Sequence, residues 1–250
     1  MGNQSSVKQN EQYNISTQNF LLNNNSNNPF KSLPKCNCEI CSAVNQEMKI
    51  IKMFLIYRCN VPLDKLDKTY DLTSGFTGWR QESHNGPPRY LKKFIPPFGW
   101  TAIGINVLNK YDNGDNTWIG TSNVDGEWYI GYHGIKDKEA VLGILMNGFL
   151  IGPGQMYEKV NNTNPLSYYN HMWGDKGAYF TPDINEAERY TGIIKYNEYN
   201  LRIVFMCRIN PQRVRTVDIG GNREYWITNG TTDEVRPYKI LFKFENNINY

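Results

Sequence analysis

The change of hydrophobic period at Gly134 constrains this chain more than any other feature. Before it, "EWYIGYH" (Glu127 to His133) alternates as a strand does. After it, "KDKEAVLGILMNG" places Ala140, Val141, Ile144 and Leu145 on one helical face, with Gly148 where a helix-capping glycine belongs. His133 is therefore expected at a strand end, at a strand-to-helix junction. The same grammar recurs in "GDKGAYFTPDINEAERYTG": a short strand through Tyr179 and Phe180, Thr181 as N-cap, Pro182 in the first turn and Gly192 closing the helix. Strand-like "LRIVFMCRI" (Leu201 to Ile209), "EYWIT" (Glu224 to Thr228) and "YKILFKF" (Tyr238 to Phe244) come after it. The C-terminal half reads as mainly β with two short helices, and the chain as an α+β protein.

Upstream, "AIGINVL" (Ala102 to Leu108) is strand-like, and the Gly-, Pro- and Trp-rich stretch Gly75 to Trp100 reads as ordered loop. The short apolar run "IIKMFLIY" (Ile50 to Tyr57), interrupted by Lys52, is expected as a buried strand. Residues 1–30, with "NNNSNN" at Asn23 to Asn28, lack apolar periodicity and are expected to be a disordered tail. At 250 residues, 40% of them hydrophobic and 20% charged, the rest can bury one sizeable core. The expected organisation is a tail (1–30), a C-terminal domain (127–250) and, between them, a Cys/Trp/Gly/Pro-rich region (31–126) packed on or extending that domain.

The net charge of +3 comes from scattered Lys and Arg, without the clustered stripe of a nucleic-acid binder. No apolar run reaches the length of about 18 residues that a membrane span needs. The polar, Asn-rich start lacks a secretory pattern, and five cysteines make an odd count, so a cytoplasmic, reducing location is expected. "MGNQSS" fits the M-G-x-x-x-[ST] pattern for myristoylation of Gly2, a pattern short enough to arise by chance. One acyl chain binds membrane only marginally, so peripheral membrane contact would need a second signal, such as acylation of Cys36, Cys38 or Cys41. Those three thiols with Cys59 could instead form a tetrahedral zinc site, although C-x-C-x2-C is a weak zinc spacing and Cys59 can simply be buried.

"YHGI", then "ILMNGFLIGPG", "GAYFTPDINEAERY" and "IVFMCRINP" together resemble the catalytic domain of the diphtheria-toxin-like and poly(ADP-ribose) polymerase group of ADP-ribosyltransferases, over about residues 127–244. The specific elements are a His-Gly at a strand end, a Gly-x-Tyr-Phe strand and a second tyrosine one helix later. The resemblance implies a split, mainly antiparallel β-sheet core with short helices, and NAD as a consumed substrate. It implies that the nicotinamide ribose lies against His133, the carboxamide against the peptide groups of Gly134, and the nicotinamide ring between Tyr179 and Tyr190.

The reaction this implies breaks the bond between nicotinamide and ribose through an oxocarbenium-like transition state, which a carboxylate stabilises. The resemblance points to Glu234 for that carboxylate, with Glu224 second. Glu198 in "YNEYN" matches the family's glutamate motif by letters but precedes the strand Leu201 to Ile209, out of order. Ala187 stands where polymerases of the family carry a serine that bonds the nicotinamide amide, a departure that weakens or remodels nicotinamide binding.

The implied activity is mono-ADP-ribosylation of a protein or nucleic-acid acceptor. The rival reading is a catalytically silent module whose Trp-rich segment 75–128 binds a protein partner. A third is an NAD-using enzyme that removes a phosphate from RNA, for which the matching blocks lack evident basic residues. His84 and His171 stand in no metal-ligand or hydrolase spacing, and "GPGQ" (Gly152 to Gln155) lacks the Lys-Ser/Thr of a phosphate loop and reads as a turn.

Overall fold

The computed structural model describes residues 39–72, 96–122, 124–149, 177–218 and 223–245, with side chains from 46 onward. One compact unit spans Ala43–Tyr250, and Met1–Ser42 forms a second, almost wholly outside the described residues. The expected tail, the loop over 75–95 and the turn at 152–155 also lie outside them.

The run Ile50 to Tyr57 is not a strand. It is the second half of helix α1 (Glu39–Tyr57). Met48, Ile51, Phe54 and Leu55 are buried while Lys49, Met53 and Tyr57 are exposed, a spacing of three and four that only a helix satisfies. Phe54 and Leu55, adjacent in sequence, are both at 0% exposure, while Met53 just before them is exposed. Lys52, which interrupts the apolar run, reaches outward to Asp71 at 2.6 Å. The helix ends where Asn60 takes a left-handed conformation (φ 55°).

Among the described residues eight strands follow in two sheets: β1 (Thr101–Gly104), β2 (Tyr129–Ile135), β3 (Ala178–Phe180), β4 (Ile194–Tyr196), β5 (Tyr199–Ile209), β6 (Arg215–Asp218), β7 (Glu224–Thr228) and β8 (Val235–Glu245). The larger sheet runs β1-β8-β5-β2, with β4 on the first residues of β5; the smaller runs β3-β7-β6. Every pairing is antiparallel. Among the described residues two further α-helices accompany them in an α+β fold, α2 (Glu139–Asn147) and α3 (Ile184–Glu188). Gly148 caps α2 at φ 75°, as its position in the sequence suggests.

Strand β8 lies between β1 and β5 although it contains Pro237, which has no N–H to give the ladder. The register shifts there: Met206 faces Lys239 while Cys207 faces Pro237, so Tyr238 is the extra residue of a bulge. Core packing is aromatic on top of this frame. Phe54 of α1 meets Phe242 and Tyr196 edge-on, and Phe149, just after α2, meets Phe205 and Phe180 edge-on.

The upstream segment belongs to the same core. Trp100, Trp118 and Trp128 are all buried, so they do not form the exposed aromatic surface imagined for a binding module. Two buried arginines hold that segment to the sheet. Arg208 of β5 donates to the carbonyls of Trp128, Ile119 and Gly120 at 2.6 to 2.8 Å. Arg236 of β8 pairs bidentately with Asp112 and lies over the rings of Tyr111, Trp118 and Trp128 at 4.2 to 4.9 Å. A planar guanidinium suits both tasks, forked donation and stacking.

The two sheets meet at one bridge among the described residues, Tyr132 with Thr181. Thr181 was expected as the N-cap of α3, but its N–H and C=O are committed to Tyr132, at 3.1 and 2.8 Å. Asp183 caps the helix instead, accepting from the Asn185 N–H at 2.9 Å. Strand β2 also runs past His133 to Ile135, so the histidine lies within the strand.

The helical assignment of α1 makes a direct stability prediction. Phe54→Ala and Leu55→Ala should each cost about 2–5 kcal/mol, whereas Met53→Ala should stay within about 0.5 kcal/mol. Urea unfolding of the three variants checks this; a near-neutral Phe54 or Leu55 variant would contradict the helix.

Candidate functional site

Strand alternation explains why a cavity opens beside the bridge. In an antiparallel ladder the hydrogen-bonded pairs recur every second residue, so after Tyr132 and Thr181 the next such pair would be Gly134 with Tyr179. That pairing does not form. The Tyr179 carbonyl instead accepts from the imidazole of His133, at 2.7 Å. A side chain has taken the place of a ladder bond, and the sheets separate.

The space beside that contact is a cavity of about 290 Å3. Strand β2 contributes Tyr132, His133 and Gly134, with Lys136 just beyond; β3 contributes Tyr179 and Phe180, with Thr181. Ala187, Tyr190 and Tyr225 complete the lining. The four residues expected to hold NAD, His133, Gly134, Tyr179 and Tyr190, thus face one space although they come from separate stretches of the chain.

The protonation state of His133 follows from its partner. A carbonyl oxygen only accepts, so Nδ1 carries the hydrogen that it donates to Tyr179. Burial pushes the imidazole below its ordinary value, with the bond to Tyr179 opposing, so the ring is neutral near pH 7. A neutral ring protonated on Nδ1 leaves Nε2 as an acceptor. Phe149 and Phe180 hold the ring in place, with centroids 5.0 and 5.4 Å away.

Gly134 is required by packing as well as by any ligand. A Cβ there would come within 2.4 Å of the Ala187 carbonyl oxygen and 3.0 Å of the Tyr190 backbone. The glycine therefore lets the end of α3 lie against β2, which carries Tyr190 to the cavity. By alternation, Gly134 turns its own N–H and C=O toward the side on which Tyr132 meets Thr181, the cavity side.

Sequence reasoning missed a polar chain in the wall. The Tyr225 hydroxyl donates to the Glu186 carboxylate at 2.6 Å, and the hydroxyls of Tyr190 and Tyr225 are hydrogen-bonded to each other. Glu186 is 6% exposed. The available signal was a glutamate one residue before buried Ala187 in a short amphipathic helix, since a buried carboxylate needs a partner. The signal for Tyr225 was only its place in "EYWIT".

The expected carboxylates do not face the cavity. Glu234 is buried and accepts from the backbone N–H and the side-chain amide of Asn229, which fixes the turn before β8. Glu224 accepts from the Trp226 indole at 2.8 Å. Neither lines the space, and among the described residues no carboxylate does. Glu198 is exposed in the turn between β4 and β5.

Cys59 is buried in the core, and burial pushes its thiol up to about 12. Cys36 and Cys38 lie outside the described residues, as does the side chain of Cys41, and with them Gly2, His84 and His171. Among the described residues no group of three or more His, Cys, Asp or Glu is placed to hold a metal. No helix among them is long and apolar enough to cross a membrane.

Two outcomes are expected from this geometry. Gly134→Ala should cost about 2 kcal/mol or more, read as a fall in thermal midpoint, because the added methyl meets backbone that cannot swing away. His133 binds its proton less readily folded than unfolded, so stability should be full above about pH 6.5 and fall as the pH drops below it. Denaturant unfolding at a series of pH values should show a shallower fall in His133→Gln; an unchanged slope would contradict the assignment.

Compared with protein-family models the chain matches none, and compared with curated proteins it finds no sequence match.

Proposed function

We propose that this chain is a mono-ADP-ribosyltransferase with an ADP-ribosyltransferase-like split-sheet fold, taking ADP-ribose from NAD to a macromolecular acceptor, most simply a protein. The observation that carries the reading is the convergence of His133, Gly134, Tyr179 and Tyr190 on one cavity at the joint of two antiparallel sheets. About 290 Å3 is at the small end for ligand sites and suits one end of a dinucleotide, its nicotinamide and ribose, with the remainder extending outside.

In this reading the nicotinamide ring stacks between the faces of Tyr179 and Tyr190. The N–H and C=O of Gly134 match the acceptor and donor of a carboxamide, and Nε2 of His133 accepts from a ribose hydroxyl. That bond sets the ribose against an acceptor as its anomeric carbon gains positive charge, and neutral nicotinamide departs. A water or a nucleophile of the acceptor closes the bond. Glu234 was expected to stabilise the charge; with its carboxylate occupied by Asn229, no step is assigned to it.

The lack of a lining carboxylate among the described residues favours a second reading, a catalytically inactive module of the same fold that binds a protein partner. The readings separate on one assay. Purified full-length chain, labelled NAD and a cell extract should give labelled acceptor and free nicotinamide, falling at least about a hundredfold in folded His133→Ala. Full activity in that variant would overturn the site, and no nicotinamide release by folded wild-type protein would leave the binding module.

A further inference from the structure

We infer that Thr181 is a ligand-binding residue of this cavity, its hydroxyl donating to the carboxamide oxygen of the nicotinamide beside the Gly134 N–H. The inference rests on the nicotinamide reading of the site.

Thr181 has one hydrogen still to give. Its backbone N–H and C=O are both spent on Tyr132. Its side-chain oxygen accepts from the Asp183 N–H at 3.2 Å, in the turn before α3. A hydroxyl that accepts one bond keeps its own proton for another partner, and among the described residues none takes it. The residue is 4% exposed and lines the cavity. A buried donor costs stability while it is unmet, and an oxygen of the ligand is the group that meets it.

Alternation gives the side chain its direction. Tyr179 and Thr181 are two residues apart in extended chain, so their side chains share a face. Phe180 between them turns to the opposite face, where it meets His133 and Phe149. Across the bridge, Tyr132 opposes Thr181, and Gly134, two residues on, belongs to the same face as Tyr132. On that face a Cβ at Gly134 would meet Ala187 and Tyr190. Thr181 therefore turns toward the space between Tyr179 and Tyr190, which this reading gives to the nicotinamide ring.

A carboxamide oxygen has two lone pairs, and the Gly134 N–H fills one of them. Thr181 stands diagonally from Gly134, a relation that separates residues across an antiparallel pair by about 7–8 Å. That spacing leaves room for one oxygen between a backbone N–H and a threonine hydroxyl. Ala187, packed over Gly134, has no side-chain donor to compete. Lys136 is the rival donor, as the one charged side chain that lines the cavity among the described residues. It is exposed, and an ammonium there suits the phosphates of a dinucleotide, so its removal acts on every dinucleotide alike.

The test is calorimetric titration of the full-length protein with NAD, its acetylpyridine analogue and its thionicotinamide analogue. The first two carry the oxygen; the third carries sulfur, a weak acceptor. Thr181→Val keeps the side-chain shape and loses the hydroxyl, and the Asp183 N–H it releases belongs to an exposed residue that water reaches. In folded Thr181→Val, NAD and the acetylpyridine analogue should bind about threefold to tenfold more weakly, with the thionicotinamide analogue nearly unchanged. Thr181→Ser should restore wild-type affinities, and Lys136→Gln should weaken all three ligands together. A packing role for Thr181 would weaken all three alike in Thr181→Val, and that result overturns the inference. So does unchanged NAD affinity in Thr181→Val, or loss confined to the oxygen-bearing ligands in Lys136→Gln. In each of these cases wild type still binds NAD and the nicotinamide reading stands. Failure of folded wild type to bind NAD overturns that reading, and this inference with it.

Discussion

The two hydrogen bonds between Tyr132 and Thr181 are the contact on which the rest of the molecule turns. Among the described residues they fasten a three-stranded sheet to a five-stranded one at a single pair, and the next possible ladder bond is given up to the His133 imidazole. A fully zipped pair of strands would leave no room for a ligand there. Unjoined sheets would not bring Tyr179 to His133. The cavity exists because the join is made once and then interrupted by a side chain, which also fixes that side chain's tautomer.

Positioning then spreads outward through packing. Gly134 has no side chain, so α3 can end against β2, and that close approach brings Tyr190 opposite the strand that carries His133. Tyr190 meets Tyr225 of the smaller sheet, and Tyr225 returns to α3 through Glu186. The wall is thus a closed circuit over three elements. Hydrogen bonds linking the three side chains hold them in one arrangement. Arg208 and Arg236 bind residues 112–128 to β5 and β8, so that described part of the upstream region packs into the core.

Much of this was legible in the sequence, and the exceptions have physical causes. The strand "EYWIT" is observed over Glu224–Thr228 as read, since strong β-formers between turn residues leave little choice. The helix after Gly134 and its Gly148 cap were legible because a period and a cap agreed. "IIKMFLIY" misled because a short apolar run carries no decisive period, and the deciding residue, Met48, lay just outside the run. Thr181 misled because its backbone was spent on a bridge that only tertiary structure creates. His133, Gly134, Tyr179 and Tyr190 were found by their order along the chain, whereas Glu186 and Tyr225 act only as a pair brought together across 39 residues. Charge on a short helix and aromatic alternation in a strand are common, and nothing in either stretch announces the other.

The central claim, that the joint holds NAD against a neutral His133, is tested most directly by nitrogen NMR of the imidazoles during addition of NAD. With three histidines in the chain the signals can be assigned by single substitutions. At pH 7 His133 should appear protonated on Nδ1 alone, and its Nε2 resonance should shift saturably as NAD is added. A doubly protonated ring, or an Nε2 resonance that stays still while NAD binds, would contradict the account.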